Sequence, residues 1–334
     1  MSHCIRVQDS DCVFFAEAGE PLLEAATRQG VRLPHECTFG GCGTCRIQLL
    51  QGRVDYEEMP LALSPQEAGA GYALACQARA CSDLVIAVQR PDDAPPAERR
   101  RAVVRGVHQW TPDVVNLHLE IEADKLRYRP GQYMNVLLED GTHRSFSMAS
   151  APSGNRVDFH VRRIAGGRFT HDTLNGLREG DRLDVEIPLG TFRLHAEDDR
   201  PLVMVATGTG LAPIKSMLES LMDDDDCPPV SLYWGMRTQA DLYLANEIRT
   251  WGERLYEFDF VPVLSRADAD WQGRRGHVQD AVAQDFGDLS EHALYLCGSP
   301  SMIGDAKQRF VALGASVDHV YVDGFTFQHA LATA

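Results

Sequence analysis

Residues Cys37-Thr38-Phe39-Gly40-Gly41-Cys42-Gly43-Thr44-Cys45, with a further thiol at Cys76, constrain the chain more than any other stretch. Cys-x4-Cys-x2-Cys followed by a distant Cys is the spacing that holds a 2Fe–2S cluster. Four thiolates can hold two bridged irons only if three of them project from one tight loop that wraps the inorganic sulfides. Gly40, Gly41 and Gly43 suit such a loop, because glycine tolerates positive φ and lets backbone N–H groups approach the sulfurs. A structural zinc site usually has two Cys-x2-Cys pairs, and only Cys42–Cys45 forms one here. A disulfide framework belongs to short secreted chains. Cys37, Cys42, Cys45 and Cys76 are therefore the expected cluster ligands. A cluster neither binds a substrate nor makes a bond, so the rest of the sequence must supply the source of its electrons.

At 334 residues the chain has room for two or three domains, each with its own core. No apolar run approaches the ~20 residues needed to cross a bilayer, and the amino terminus lacks the basic-then-apolar layout of a signal peptide. The five other cysteines are scattered, as suits a reducing cytoplasm. A formal charge of −16 argues against nucleic acid, whose phosphates want a basic face. It could steer a basic redox partner or simply aid solubility. The run Asp223–Asp226 lacks calcium-ligand spacing and is expected to be a solvated loop.

Residues 3–16 alternate apolar and polar (Ile5, Val7; Val13, Phe15), which predicts a hairpin. Glu20-Pro21 opens a short helix with Leu22, Leu23, Ala26 and Thr27 on one side, stopped by Gly30. A strand over Ile47–Leu50, a helical stretch after Ser64-Pro65 and a strand over Leu84–Val88 follow. This order resembles the plant-type ferredoxin domain, a β-grasp fold, over residues 1–90. His35 and Glu36 stand where that family often has an aromatic and a small residue. Residues 91–101 have linker composition.

From Ala102 to Leu194 several short strands and one helical patch predict a small antiparallel β-barrel. Pro130-Gly131-Gln132-Tyr133, Arg144-Ser145-Phe146-Ser147 and Gly166-Gly167-Arg168-Phe169-Thr170 occur there in that order. Together they resemble the flavin domain of the ferredoxin–NADP reductase superfamily. The resemblance implies that Arg144 pairs with the flavin pyrophosphate, with Ser145 beside it in the same motif. Phe146 would lie against the isoalloxazine, and Ser147 would hydrogen-bond near its reactive nitrogen. Gly166, Gly167 and Thr170 would face phosphate at a helix start. The family more often has Tyr at the position of Phe146.

After Pro201 strands alternate with helices, as in a parallel α/β sheet. Leu202–Thr207 is an apolar strand leading into Gly208-Thr209-Gly210-Leu211-Ala212-Pro213 and a helix through Leu221. A Gly-rich turn from strand into helix suits a pyrophosphate, although Pro213 stands where the dinucleotide fingerprint has its third Gly. Arg237 ends the next apolar stretch, with Asp241-Leu242-Tyr243 beginning a helix and Phe260–Leu264 another strand. Cys297-Gly298-Ser299-Pro300 resembles the superfamily's Cys-Gly-x-Pro turn, whose Cys lies beside the nicotinamide, although Cys297 could equally be a core residue. Asp323 and Phe325 resemble the terminal strand that brings an acidic residue and an aromatic to the flavin.

The fold expected is thus multidomain α+β and α/β: a β-grasp ferredoxin domain (1–90), a linker (91–101), an FAD-binding antiparallel β-barrel (102–198) and a parallel α/β nucleotide-binding domain (199–334). This order resembles reductase components of bacterial multicomponent oxygenases, including those of aromatic-ring dioxygenases. Ser145-Phe146-Ser147-Met148-Ala149 and Ala212-Pro213-Ile214-Lys215-Ser216 resemble terephthalate dioxygenase reductases in particular. The resemblance implies electron flow from NADH through FAD and the 2Fe–2S cluster to a terminal oxygenase or an intermediate ferredoxin. Ser147, Cys297 and Phe325 would stand at the reacting atoms. FAD rather than FMN is implied by the amino-terminal ferredoxin. Ser265-Arg266 could grip the 2′-phosphate of NADPH, but Asp268 and Asp270 would repel it, which favours NADH. No histidine is needed, so His143, His160 and His171 are read as structural. Three alternatives remain: a reductase for deoxygenation of nucleotide-linked sugars, an electron carrier with a degenerate flavin domain, and a flavin reductase with a zinc module.

Overall fold

The computed structural model describes residues 2–8, 10–31, 33–35, 38, 40–41, 43–88 and 96–325. Cys37, Cys42 and the residues after Phe325 lie outside the described residues.

The amino-terminal sheet has the order Val13–Glu17, Ser2–Val7, Leu84–Val88, Arg46–Gln51, Tyr72–Leu74. Ser2–Val7 runs antiparallel to its hairpin partner and parallel to Leu84–Val88. The hairpin forms, but its second strand faces the other way from the expectation. Phe14 and Ala16 are fully buried, whereas Val13 and Phe15 are 43% and 49% exposed. Ile5 pairs with Phe14, and paired residues share a face, so the burial of Ile5 fixes Phe14 inside. The helix Leu22–Arg28 buries Leu22, Leu23, Ala25 and Ala26 on the same core. Thr27 is exposed, with its hydroxyl donating to Leu23 O, and Ala25 takes the inward position. Ser64 caps the helix Pro65–Gly69 in a full capping box with Glu67.

The second sheet is antiparallel, in the order His143–Ser147, Tyr133–Leu137, Arg182–Leu189, Glu98–Gln109, Val114–Ile121, Arg156–Arg162. Met148 and Phe159 form an antiparallel bridge between its two edges, closing the barrel. Its inward residues, among them Val104, Leu117, Met134, Phe159 and Val185, fill the interior. One strand is twelve residues long rather than short. It begins at Glu98, so Glu98–Arg101 are strand and not linker; they pair with Asp184–Ile187. Prolines end at Pro96, which leaves this segment free to donate to the ladder.

The third sheet is wholly parallel, in the order Arg274–Arg275, Phe258–Leu264, Val230–Met236, Leu202–Thr207, Ala293–Gly298, Val320–Gly324. Its central strand, Leu202–Thr207, has apolar neighbours on both faces: Met204 and Ala206 in one cluster, Val203 and Val205 in the other. Burial on both faces explains the continuous apolar run. Asp241 ends a 3-10 turn (Gln239–Asp241) and the helix starts only at Ala245. Asp241 caps that turn by accepting from Thr238 N and Oγ, so the chain closes on itself before it can propagate a helix. Among the described residues no helix is long and apolar enough to cross a membrane.

Candidate active site

The Gly-rich turn joins the central strand of the parallel sheet to the helix Leu211–Leu221. Gly208 has φ +58°, and a Cβ on Gly210 would lie 2.4 Å from Cys297 O and 3.0 Å from Gly298 Cα. Only glycine lets this turn lie so close to the neighbouring strand. Trp234 Nε1 donates to Gly208 O (3.0 Å) and fixes the turn from the other side. Pro213 sits in the first helical turn, where its missing N–H would have no intrahelical acceptor.

Cys297 is the penultimate residue of the neighbouring strand and is fully buried. Gly298 has φ +139°, and a Cβ there would fall 2.1 Å from Thr207 Oγ1. That hydroxyl accepts from Ser299 N (3.1 Å), and Ser299 Oγ accepts from Met302 N to cap the helix Pro300–Ala312. The two strand ends, Thr207–Thr209 and Gly298–Pro300, floor a cleft of ~840 Å³. Arg237, Ser265, Met302 and Phe325 border it as well. Neither Arg266 nor Asp268 nor Asp270 lines it. The loop 267–271 is held instead by Arg275, which donates to the carbonyls of Ala267, Asp268, Ala269 and Trp271.

The barrel brings the flavin-type motif to the same place. Ser147 pairs with Tyr133, Phe146 with Met134, Ser145 with Asn135 and Arg144 with Val136. The alternation puts Phe146 against Phe169 (ring centroids 5.2 Å apart), and Ser145 Oγ donates to Asn135 Oδ1. Gly166 has φ +73° and precedes Gly167, the N-cap of the short helix Arg168–Thr173. A Cβ on Gly167 would fall 2.2 Å from Thr170 Oγ1 and 2.9 Å from Ile164 O, so the turn admits only glycine.

Three motifs read separately in the sequence meet at Asp323. Its Oδ2 accepts from Ser147 Oγ (3.4 Å) and from Cys297 Sγ (3.8 Å). Phe325 N donates to Gly298 O (2.7 Å). The barrel is fastened to the helix Leu211–Leu221 beside this point. Lys215 Nζ donates to Ala149 O, Ser216 Oγ to Ser150 O, and Glu219 accepts from Ala151 N.

On the iron–sulfur side Cys45 and Cys76 are both buried. Burial raises the pKa of the Tyr56 hydroxyl to about 12, and the two nearby thiols add to the shift. Gly40 and Gly43 adopt φ +77° and +81°, as the loop requires. A Cβ on Gly43 would lie 2.9 Å from Val322 Cγ2, which places the cluster loop against the strand that carries Asp323.

Several residues at the site carried no signal in the sequence. Asp113 and Arg162, an ion pair of 3.0 Å from the barrel, and Leu61 from the ferredoxin domain line the nucleotide cleft. Each lies far along the chain from the motif it faces, so only the fold brings it there. Trp110 stacks on Tyr243 (5.0 Å), whose hydroxyl meets His160 Nδ1 at 3.1 Å. Burial, with Lys215 and His118 nearby, lowers the His160 pKa well below the ordinary value and keeps it neutral. His143 and His171 are exposed.

A cysteine loop, a closed barrel with a glycine-tight turn and a parallel sheet with a nucleotide cleft define an iron–sulfur flavoprotein oxidoreductase. Residues 5–81 match the 2Fe-2S iron-sulfur cluster binding domain, 103–194 the oxidoreductase FAD-binding domain and 204–308 the oxidoreductase NAD-binding domain. The chain is 34% identical to the reductase component 1 of terephthalate 1,2-dioxygenase from Comamonas sp., covering 97% of this chain and 98% of that protein. It is 32% identical to the CDP-6-deoxy-L-threo-D-glycero-4-hexulose-3-dehydrase reductase of Yersinia pestis, covering 97% and 99%. The crystal structure of a cytochrome P450 reductase from Amycolatopsis superposes with a TM-score of 0.72 at 32% identity, covering 97% of this chain and 99% of that one. The chain belongs to the family of three-domain reductases that bind a 2Fe–2S cluster, FAD and NAD(H).

Proposed function

We propose that the protein takes electrons from NADH and passes them, through FAD and the cluster, to the oxygenase component of an aromatic-ring dioxygenase or to an intermediate ferredoxin. The observation that carries this reading is the reach of one strand, Val320–Gly324. Its Val322 lies against the cluster loop at Gly43, and its Asp323 holds both Ser147 and Cys297.

A hydride brings two electrons and a 2Fe–2S cluster takes one, so the chemistry a bound flavin supplies is the division of the pair. The residues of the chain do the positioning. Gly208 and Thr209 would offer backbone donors to the nicotinamide pyrophosphate, while Gly210 packs the turn against the Cys297 strand and Pro213 sits in the first turn of the helix behind them. Gly298 lets the backbone pass close beneath the cleft, and Arg237 borders it and would contact the dinucleotide. Arg144 and the Gly166–Thr170 turn would hold the flavin pyrophosphate and Phe146 would cover the ring, while Ser145 anchors the strand through Asn135. Ser147 and Cys297, held by Asp323, would stand at the reacting atoms, and Phe325 would shield them. Cys37, Cys42, Cys45 and Cys76 hold the cluster. NADH is preferred over NADPH, because Arg266, the residue that could grip a 2′-phosphate, does not border the cleft. A higher kcat/KM for NADPH than for NADH would overturn that preference. Cys4, Cys12, Cys81 and Cys227, which form no disulfide, suit the cytoplasm.

Anaerobic titration with NADH, followed by visible absorption and low-temperature electron spin resonance, tests the relay. Flavin bleaching should be followed by a rhombic reduced-cluster signal. Bleaching with no such signal would refute the reading. The Yersinia relative supports a second acceptor, a dehydrase acting on a nucleotide-linked sugar; reconstitution with each class of partner separates the two.

A further inference from the structure

The only buried ion cluster found between the ferredoxin and nucleotide domains, among the described residues, is centred on Glu67. Its carboxylate is 0% exposed and Lys307, from the helix Pro300–Ala312, is 3% exposed. Lys307 Nζ donates to Glu67 Oε1 and Oε2 (2.8 and 2.7 Å) and to Ala62 O (2.8 Å). Arg46 donates to Glu67 Oε1 (3.1 Å) and reaches across to Val317 O (3.1 Å). Ser64 N and Oγ fill the remaining sites on Oε2. Burial opposes ionisation of Glu67, but the Lys307 ammonium and Arg46 overcome it and hold its pKa below the usual carboxylate range.

Glu67 would be explained as a helix cap if its contacts ended at Ser64. They do not. Arg46 is the chain neighbour of Cys45, and Lys307 lies on the helix whose first turn borders the nucleotide cleft. Gly304 on that helix approaches Leu61 O, a Cβ there lying 3.4 Å away. We infer that Arg46, Glu67 and Lys307 form an interdomain lock, which holds the cluster-bearing domain on the nucleotide domain at the distance that electron transfer from the flavin needs. These are positioning residues; none touches a cofactor. The inference rests on the relay proposed above.

Removing one partner of a buried ion cluster leaves an uncompensated charge, whereas replacing both leaves a neutral contact of similar shape. Glu67→Gln strands two cations and should undock the domain. In the holoprotein, NADH should still bleach the flavin and reduce ferricyanide at the wild-type rate. Reduction of the cluster should slow by about tenfold or more as the docked fraction falls, and the radius of gyration from small-angle X-ray scattering should rise. The double variant Glu67→Gln with Lys307→Met removes the more deeply buried of the two cations and should recover part of the cluster rate and of the compact radius, Arg46 being 15% exposed and still donating to Val317 O. Unchanged cluster reduction and an unchanged radius in Glu67→Gln would overturn the inference. Equal loss of ferricyanide and cluster reduction would also overturn it, because the cluster would then support the fold rather than the distance. Failure of the wild-type protein to reduce its cluster would refute the relay instead, and the scattering comparison would still decide the lock.

Discussion

Gly210→Ala tests whether the contact between the nucleotide turn and the Cys297 strand sets the rate of flavin reduction. A Cβ at this position would meet Cys297 O at 2.4 Å and its carbonyl carbon at 2.7 Å. Both are backbone atoms of a fully buried strand, so no flexible side chain can give way. Reaching an ordinary contact of about 3.4 Å from 2.4 Å requires the turn and the strand to part by about 1 Å. Overpacking of this kind costs about 1–3 kcal/mol. At about 3 °C per kcal/mol that lowers the melting temperature of the nucleotide domain by about 3–9 °C. Displacing Cys297 by about 1 Å relative to Ser147 and Asp323 should slow hydride transfer by about 100-fold. Stopped-flow bleaching of the flavin by NADH, under single-turnover conditions and with FAD content checked, reads that loss. Gly176→Ala is the control, because nothing lies within 4 Å of its Cβ position and its φ is ordinary. Flavin bleaching at the wild-type rate in Gly210→Ala, with a melting temperature matching the control, would refute the reasoning.

Cys76→Ser should retain FAD and ferricyanide reduction while losing electron transfer to a one-electron acceptor protein; transfer at the original rate would refute the ligand assignment. Gly167→Ala pushes a methyl group against Thr170 Oγ1 and Ile164 O, and the purified protein should carry less FAD, as read by absorbance after gel filtration. His160 has a lowered pKa in the fold, so its contribution to stability is complete above the unfolded value near 6.5 and is lost as pH falls below it. The slope approaches about 1.4 kcal/mol per pH unit for one proton. Denaturant titrations of His160→Gln between pH 7 and 5 should show a shallower slope than the wild-type protein, and identical slopes would count against the assignment.

Local chemistry made much of this fold legible. Gly208–Pro213 and Gly166–Thr170 announce themselves because each turn must pass close to a neighbouring backbone, which few residue types allow. Strands such as Leu202–Thr207 and Leu84–Val88 are bounded as the apolar pattern predicts. The hairpin facing was not legible, because Val13, Phe14, Phe15 and Ala16 are all apolar and only the pairing with Ile5 chooses between them. Asp241 was misplaced for a related reason: its side chain closes a turn that composition alone cannot separate from a helix start. Glu67 closes a capping box with Ser64, and nothing local foretells that Lys307, 240 positions away, completes its environment. Sequence motifs record what a residue does to its chain neighbours, and contacts between domains leave no such record.

The strand Val320–Gly324 has neighbours in all three domains: Gly43 in the cluster loop, Ser147 in the barrel and Cys297 beside the cleft. That limits how freely these modules can be exchanged between relatives. A ferredoxin domain grafted from another reductase would have to fit Val322 and Lys307, neither of which travels with it. Functional chimeras should therefore require the donor's strand and adjoining helix to travel with its ferredoxin domain, although these segments lie at opposite ends of the sequence. Natural recombination that cuts between domains would break this match, so lineages carrying the arrangement should inherit it whole.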